Sequence, residues 1–244
     1  MSILENAVLS LTMRGRVEGP LKIDEKLFKL FLSLPGDPLP GFKGATPEIK
    51  GRGKDHPRYG RWMHAFVKFH KPEFVVEVGT NAGGSAVGTA RALTENGFGE
   101  LICIDNGQGV PKSFPDVAMR NILATGLTED RFHLICEDSV TALSSIAEKM
   151  ENKVAVYLVD AAHTYDAALA DINNGLPMMK SGGFILVHDI DPWLDLADEI
   201  SPEHPHPVLD AFKKVVKDNS FEWCILKFIR KHLGIIKVET KKGG

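Results

Sequence analysis

The chain has 244 residues, 43% of them hydrophobic and 25% charged, an ordinary globular composition that excludes a mainly disordered chain. Its 29 basic and 32 acidic residues leave a net charge of −3, which disfavours a generic nucleic-acid binder, since such proteins show a basic excess. No apolar run approaches the roughly 20 residues of a membrane-spanning helix.

At the start of the chain Glu5 interrupts the apolar stretch, and Arg14 and Arg16 follow it instead of preceding it. No secretory leader is expected, and the location is read as cytoplasmic. Residues 23–34 form a candidate amphipathic helix with Leu27, Phe28, Leu30, Phe31 and Leu34 on one side. A stretch rich in proline and glycine follows, from Pro35 to Gly53, and reads as a loop or lid. The first 55 residues are therefore set apart as an extension, and residues 56–244 as the main domain.

From residue 56 helices and strands alternate. The pattern predicts a helix over 58–70, a strand over 74–78, a helix over 84–95 and a strand over 101–104. A helix over 115–124, a strand over 132–136 and a helix over 139–150 come next. The series continues with a strand over 154–159, a helix over 165–179, a strand over 183–187 and a helix over 208–218. Two late strands over 221–228 and 235–239 are close enough for one to run antiparallel at the edge. Such alternation argues for an α/β fold with a mainly parallel sheet and helices on both faces. Ligands of these sheets bind beyond the carboxyl ends of the strands, where Glu77, Asp105, Asp138, Asp160, His188 and Asp189 collect. Cys103, Cys136 and Cys224 each lie in an apolar segment without C-x-x-C spacing and read as buried thiols.

Five short segments could carry chemistry. The first, Glu77-Val78-Gly79-Thr80-Asn81-Ala82-Gly83-Gly84-Ser85, is a glycine-rich turn from strand to helix. Its glycines permit close ligand approach, and the helix start offers N–H groups to an anion. It is not the G-x-G-x-x-G of dinucleotide sites, because Asn81 stands where the second glycine belongs. An acid just before the first glycine suits a cationic amine, not a diphosphate. The second is Asp105, 26 residues after Gly79, placed to accept from ribose hydroxyls or to act as a loop cap. The third, Glu137-Asp138-Ser139, either bonds an adenine amino group or caps the next helix. In the fourth, Asp160 ends a strand and His163 follows in the loop; His163 is a general base or a structural imidazole. The fifth brings His188, Asp189 and Asp191 to the same crevice, as a cation site or as a hydrogen-bonded cluster. Glu203-His204-Pro205-His206-Pro207 reads as a turn-rich surface loop bordering the substrate entrance.

Taken together, Glu77 to Ser85, Asp160-Ala161-Ala162-His163-Thr164-Tyr165-Asp166, and Gly182-Gly183 leading to His188-Asp189 resemble the class I S-adenosylmethionine-dependent methyltransferases. The likeness is narrower to the small-molecule O-methyltransferases that include the cephalosporin-hydroxylase-like and macrocin-methyltransferase-like proteins. The resemblance implies a Rossmann-like, doubly wound, seven-stranded sheet with a C-terminal antiparallel strand. It also implies methyl transfer from S-adenosylmethionine to a hydroxyl of a small-molecule acceptor. By the same resemblance Glu77, Gly79, Thr80, Asn81, Gly83 and Ser85 hold the methionine part, Asp105 the ribose, and Glu137, Asp138 and Ser139 the adenine. Asp160 faces the sulfonium or a metal, and His163 is the general base. A divalent cation such as magnesium would be held by Asp160, His188 and Asp189; the two further ligand places of metal-dependent relatives fall on His188-Asp189 or on Asp189-Ile190, depending on alignment, and Ile190 cannot ligate. A homodimer is a family-level expectation. The competing functions are an NAD-dependent oxidoreductase and a non-catalytic cofactor-binding regulator.

Overall fold

The computed structural model describes residues 16–34, 56–108, 114–190, 201–227, 229 and 232–239. The Pro/Gly-rich stretch read as a lid and residues 191–200, including Asp191, lie outside the described residues.

Strands β1 (Val17–Glu18), β2 (Phe74–Val78), β3 (Glu100–Ile104), β4 (Phe132–Ile135), β5 (Val154–Val159), β6 (Met179–His188), β7 (Glu222–Leu226) and β8 (Leu233–Lys237) form one sheet. Helices α1 (Glu25–Ser33), α2 (His56–His70), α3 (Gly84–Asn96), α4 (Phe114–Leu123), α5 (Ser139–Met150), α6 (Tyr165–Gly175) and α7 (Pro207–Asn219) connect and cover it. The order across the sheet is β1-β7-β8-β6-β5-β2-β3-β4. From β4 to β6 neighbouring strands are parallel, with β2 paired to both β3 and β5. From β2 at the centre the chain thus runs outward through β3 and β4, then crosses back to place β5 and β6 on the other side of β2. The carboxyl ends of β2 and β5 flank the point where this order reverses, the place where open α/β sheets bind ligands.

The core explains why these segments are strands and helices. β5 reads Val-Ala-Val-Tyr-Leu-Val and is buried along its whole length, as expected for a strand covered on both faces. Successive residues of β2 alternate between the two faces. Val75 joins a cluster with Phe28, Trp62, Phe66, Val87 and Leu93. Val76 and Val78 join one with Leu143, Ile172 and Phe212. One helical layer is therefore built from α1, α2, α3 and α4, the other from α5, α6 and α7. Asp24 caps α1 by accepting from the Lys26 amide, and Asp138 caps α5 by accepting from Val140.

Three details differ from the sequence reading. β8 is not at an edge; it pairs antiparallel with both β6 and β7, because Leu233 to Ile236 are buried and need neighbours on both sides. β1 adds an eighth strand by pairing antiparallel with β7; two residues are too few to show a period. Cys103 and Cys224 are buried, but Cys136 is exposed, because it lies just past the end of β4, where the apolar run meets the loop.

Candidate active site

The glycine turn between β2 and α3 is held by main-chain geometry. Gly79 adopts a φ of 86°, and a Cβ there would lie 1.9 Å from the Asp160 carbonyl oxygen. Only glycine lets the β2 and β5 ends approach so closely. Asn81 sits in the left-handed region at φ 48°, which asparagine tolerates better than most residues. Its side chain accepts from the Ala82 amide at 2.7 Å. Asp105 ties the turn to the end of β3, accepting from the amides of Asn81 at 2.7 Å and Gly107 at 2.8 Å. Gly83 caps α3 without a side-chain bond, so the first amides of that helix lack helical partners.

Glu77, in β2 just before this turn, is fully buried. Its Oε1 accepts from the Ser85 hydroxyl at 2.7 Å, while Oε2 is buried with no hydrogen-bond partner among the described residues. Burial pushes its pKa up to about 8; the Ser85 bond opposes this, and the charges of Asp160 and Asp105 reinforce it. A buried carboxyl with one unmet oxygen calls for a donor from outside the protein.

A second cluster forms where β5 and β6 end. His163 Nε2 lies 2.9 Å from Asp189 Oδ2. His188 Nδ1 lies 3.2 Å from Asp160 Oδ1 and 2.9 Å from Asp189 Oδ1. Burial opposes the charge on His188, but the Asp160 carboxylate and then Asp189 outweigh it and push its pKa up to about 10. Burial likewise opposes ionisation of Asp189, yet hydrogen bonds from His163 and His188 hold its carboxyl well below the usual range. Asp189 is only 4% exposed and adopts a φ of 58°, a strained position for a non-glycine residue that re-aims its side chain after the strand. Donor atoms of Asp160, His163 and Asp189 all lie within 4.8 Å of one another. These are the residues whose spacing suits a cation, whereas His188 hydrogen-bonds to the two carboxylates.

The structure therefore brings Glu77, the turn from Gly79 to Ser85, Asp105, Asp160, His163, His188 and Asp189 to one edge of the sheet. Glu137 and Asp138 lie exposed past β4. The Asp138 carboxylate is used as a helix cap, and the Ser139 hydroxyl donates to Asp171 at 2.6 Å. Tyr59 on α2 is a site residue that the sequence reading missed. Its ring stacks on His188, 4.0 Å between centroids and 6° from parallel. Nothing in the local pattern sets it apart from the apolar face of α2. His204 stacks on Tyr165 at 3.4 Å, so the segment after residue 200 covers the start of α6, two residues beyond His163.

The profile of a family described as a methyltransferase domain matches residues 76–190. Residues 76–190 are a methyltransferase domain. Apart from Tyr59 and His204, the site residues just described all fall within it. No curated protein matches the chain by sequence. Among solved structures the chain is similar to the SAH-bound methyltransferase PaMTH1 of Podospora anserina, at 14% identity and a TM-score of 0.63, covering 97% of this chain and 96% of that one. It is similar to the O-methyltransferase TomG of Streptomyces achromogenes, involved in tomaymycin synthesis and in complex with SAM, at 16% identity and a TM-score of 0.59, covering 98% and 100%. It is also similar to an O-methyltransferase of Bacillus cereus in complex with SAH, at 14% identity and a TM-score of 0.60, covering 97% and 100%. At such identities the likeness is one of fold, and it extends beyond residues 76–190. Among the described residues no helix is long and apolar enough to cross a membrane.

Proposed function

We propose that this methyltransferase transfers a methyl group from S-adenosylmethionine to a hydroxyl oxygen of a small molecule. The observation that carries the reading is Glu77, a buried carboxyl whose Oε2 has no partner among the described residues and which lies under a glycine turn at the switch point of the sheet. An ammonium group satisfies it, and a diphosphate does not. The open amides of α3 suit a carboxylate, and Asp105, beyond β3, faces the place of the ribose. When bound, S-adenosylmethionine supplies a methyl group already activated on a sulfonium. The protein's own work is alignment and proton removal.

His163 is the base in this proposal. Asp189 accepts at Nε2, which leaves the proton-taking role to Nδ1 and stabilises the imidazolium that results. Asp160 holds the cationic side of the reacting centre, and His188 keeps both carboxylates in place. The donor set of Asp160, His163 and Asp189 also fits a divalent cation; when bound, such an ion supplies polarisation of an acceptor oxygen. The two uses of His163 are exclusive. Methyl transfer that survives a chelator supports the base, and transfer lost with the chelator and restored by manganese or magnesium supports the ligand.

The first experiment is calorimetric titration with S-adenosylmethionine and with NAD. One-site binding of the first alone is the expected result. His163→Ala and Asp160→Asn should lower turnover by at least a hundredfold while changing cofactor affinity far less. Full turnover in His163→Ala would remove that residue from the mechanism. We also propose a cytoplasmic homodimer, checked by sedimentation velocity, and an acceptor side bordered by Tyr165 and His204.

A further inference from the structure

Tyr59 precedes the matched domain and is 2% exposed, yet its hydroxyl has no hydrogen-bond partner among the described residues. A buried phenol ordinarily finds a partner, so an unmet one beside a ligand site points to the ligand. Its position follows from the close crossing of α2 and α3. A Cβ on Gly60 would lie 2.8 Å from the Gly84 carbonyl oxygen, and one on Gly88 would lie 2.0 Å from the Gly60 carbonyl oxygen. Tyr59 is thus held against the first turn of α3. The flat face of its ring is committed to His188, 4.0 Å between centroids, while its hydroxyl is left without a partner among the described residues.

Two buried polar atoms with no partner among the described residues therefore share this part of the molecule: an acceptor, Glu77 Oε2, and a donor, the Tyr59 hydroxyl. With the open amides of α3 they make a pair of opposite demands. Glu77 and Asp160 suit a cationic group. The α3 amides and the phenol suit an anionic one. A zwitterionic amino-acid group meets both. We propose that Tyr59 contacts the cofactor, its phenol donating a hydrogen bond to the α-carboxylate of the methionine part of S-adenosylmethionine. The proposal rests on the cofactor reading given above and adds a residue from outside the matched domain to it. Burial, and then the charges of Asp160, Glu77 and Asp189, hold the phenol's pKa well above its usual range. The group stays protonated and remains a donor throughout the working pH.

Tyr59→Phe tests this, because it keeps the ring and its stack and removes only the hydroxyl. Binding of three probes is measured by calorimetry: S-adenosylhomocysteine, its decarboxylated analogue, and 5′-methylthioadenosine. The variant should bind S-adenosylhomocysteine roughly ten- to a hundredfold more weakly, as for loss of a hydrogen bond to a charged group. It should bind the other two as the wild type does, so the preference for the carboxylate-bearing ligand narrows. Its melting temperature without ligand should not fall, since the hydroxyl has no protein partner to lose. Equal weakening of all three probes, or none, would overturn the role. So would a wild-type protein with no preference for S-adenosylhomocysteine over its decarboxylated analogue, a result that needs no variant. If the wild type binds none of the probes, the cofactor reading itself falls and this contact with it.

Discussion

Glu77 carries the chief electrostatic cost of the site. Its carboxyl is buried and titrates near pH 8 instead of 4.5. Between those values the unfolded chain is ionised there and the folded one is not, so folding takes up a proton and stability falls as pH rises. Glu77→Gln removes that titration. Its unfolding free energy relative to wild type should shift in the variant's favour between pH 5 and pH 8.5, by an amount on the order of a few kcal/mol. Thermal denaturation at the two pH values checks this, and a constant difference would disprove it. Cofactor binding should reverse the strain. An ammonium placed on Oε2 favours the carboxylate, so binding at pH 7 should release up to about one proton. Calorimetry in buffers of different ionisation enthalpy measures that release, which should vanish in Glu77→Gln.

At the scale of elements, the contact of α2 with α3 decides where Tyr59 stands. The crossing is close because glycines face one another, and the Gly88 position has no room for a methyl group, with the Gly60 carbonyl 2.0 Å from its site. Glu95 on α3 reinforces the contact, accepting from His64 at 3.0 Å and from Lys68, both on α2. Gly88→Ala should cost about 1–3 kcal/mol, roughly 2–4 °C in Tm per kcal/mol. It should also weaken S-adenosylhomocysteine binding, because Tyr59 moves away from the turn. Urea denaturation and calorimetry on the same variant test both parts, and wild-type stability would refute the packing argument.

For the whole molecule, the buried groups act together on the pH profile. His188, with a pKa near 10 against 6.5 unfolded, stabilises fully below pH 6.5 and loses that contribution as pH rises toward 10. Asp171, raised by burial to about 6, acts like Glu77 in a lower window. The Asp171 window closes at about pH 6; above that Glu77 and His188 slope the same way, so the ligand-free protein should lose thermal stability steadily from pH 6 to pH 9. Scanning calorimetry reads this directly. A saturating cofactor should counter the loss, adding about 2.7 kcal/mol at a hundredfold excess over Kd.

The periodicities were legible without the fold. Residues 74–78, 139–150 and 154–159 form the elements their patterns predict, because burial on one or both faces is written into local spacing. So was the order of acids at strand ends, since a βαβ chain puts each carboxyl end on the same edge of the sheet. Three features were decided only by tertiary structure. Tyr59 stacks on His188, 129 residues away in the chain, a contact that no local pattern encodes. Ser139 turns to Asp171, and His163 reaches Asp189, since side-chain partners depend on how strands and helices pack. β8 enters the sheet between β6 and β7, because the pairing of a buried strand is set by the neighbours that can satisfy both its edges. Local spacing dictates the kind of fold and the chemistry available at the carboxyl ends of its strands; packing dictates which of those groups touch.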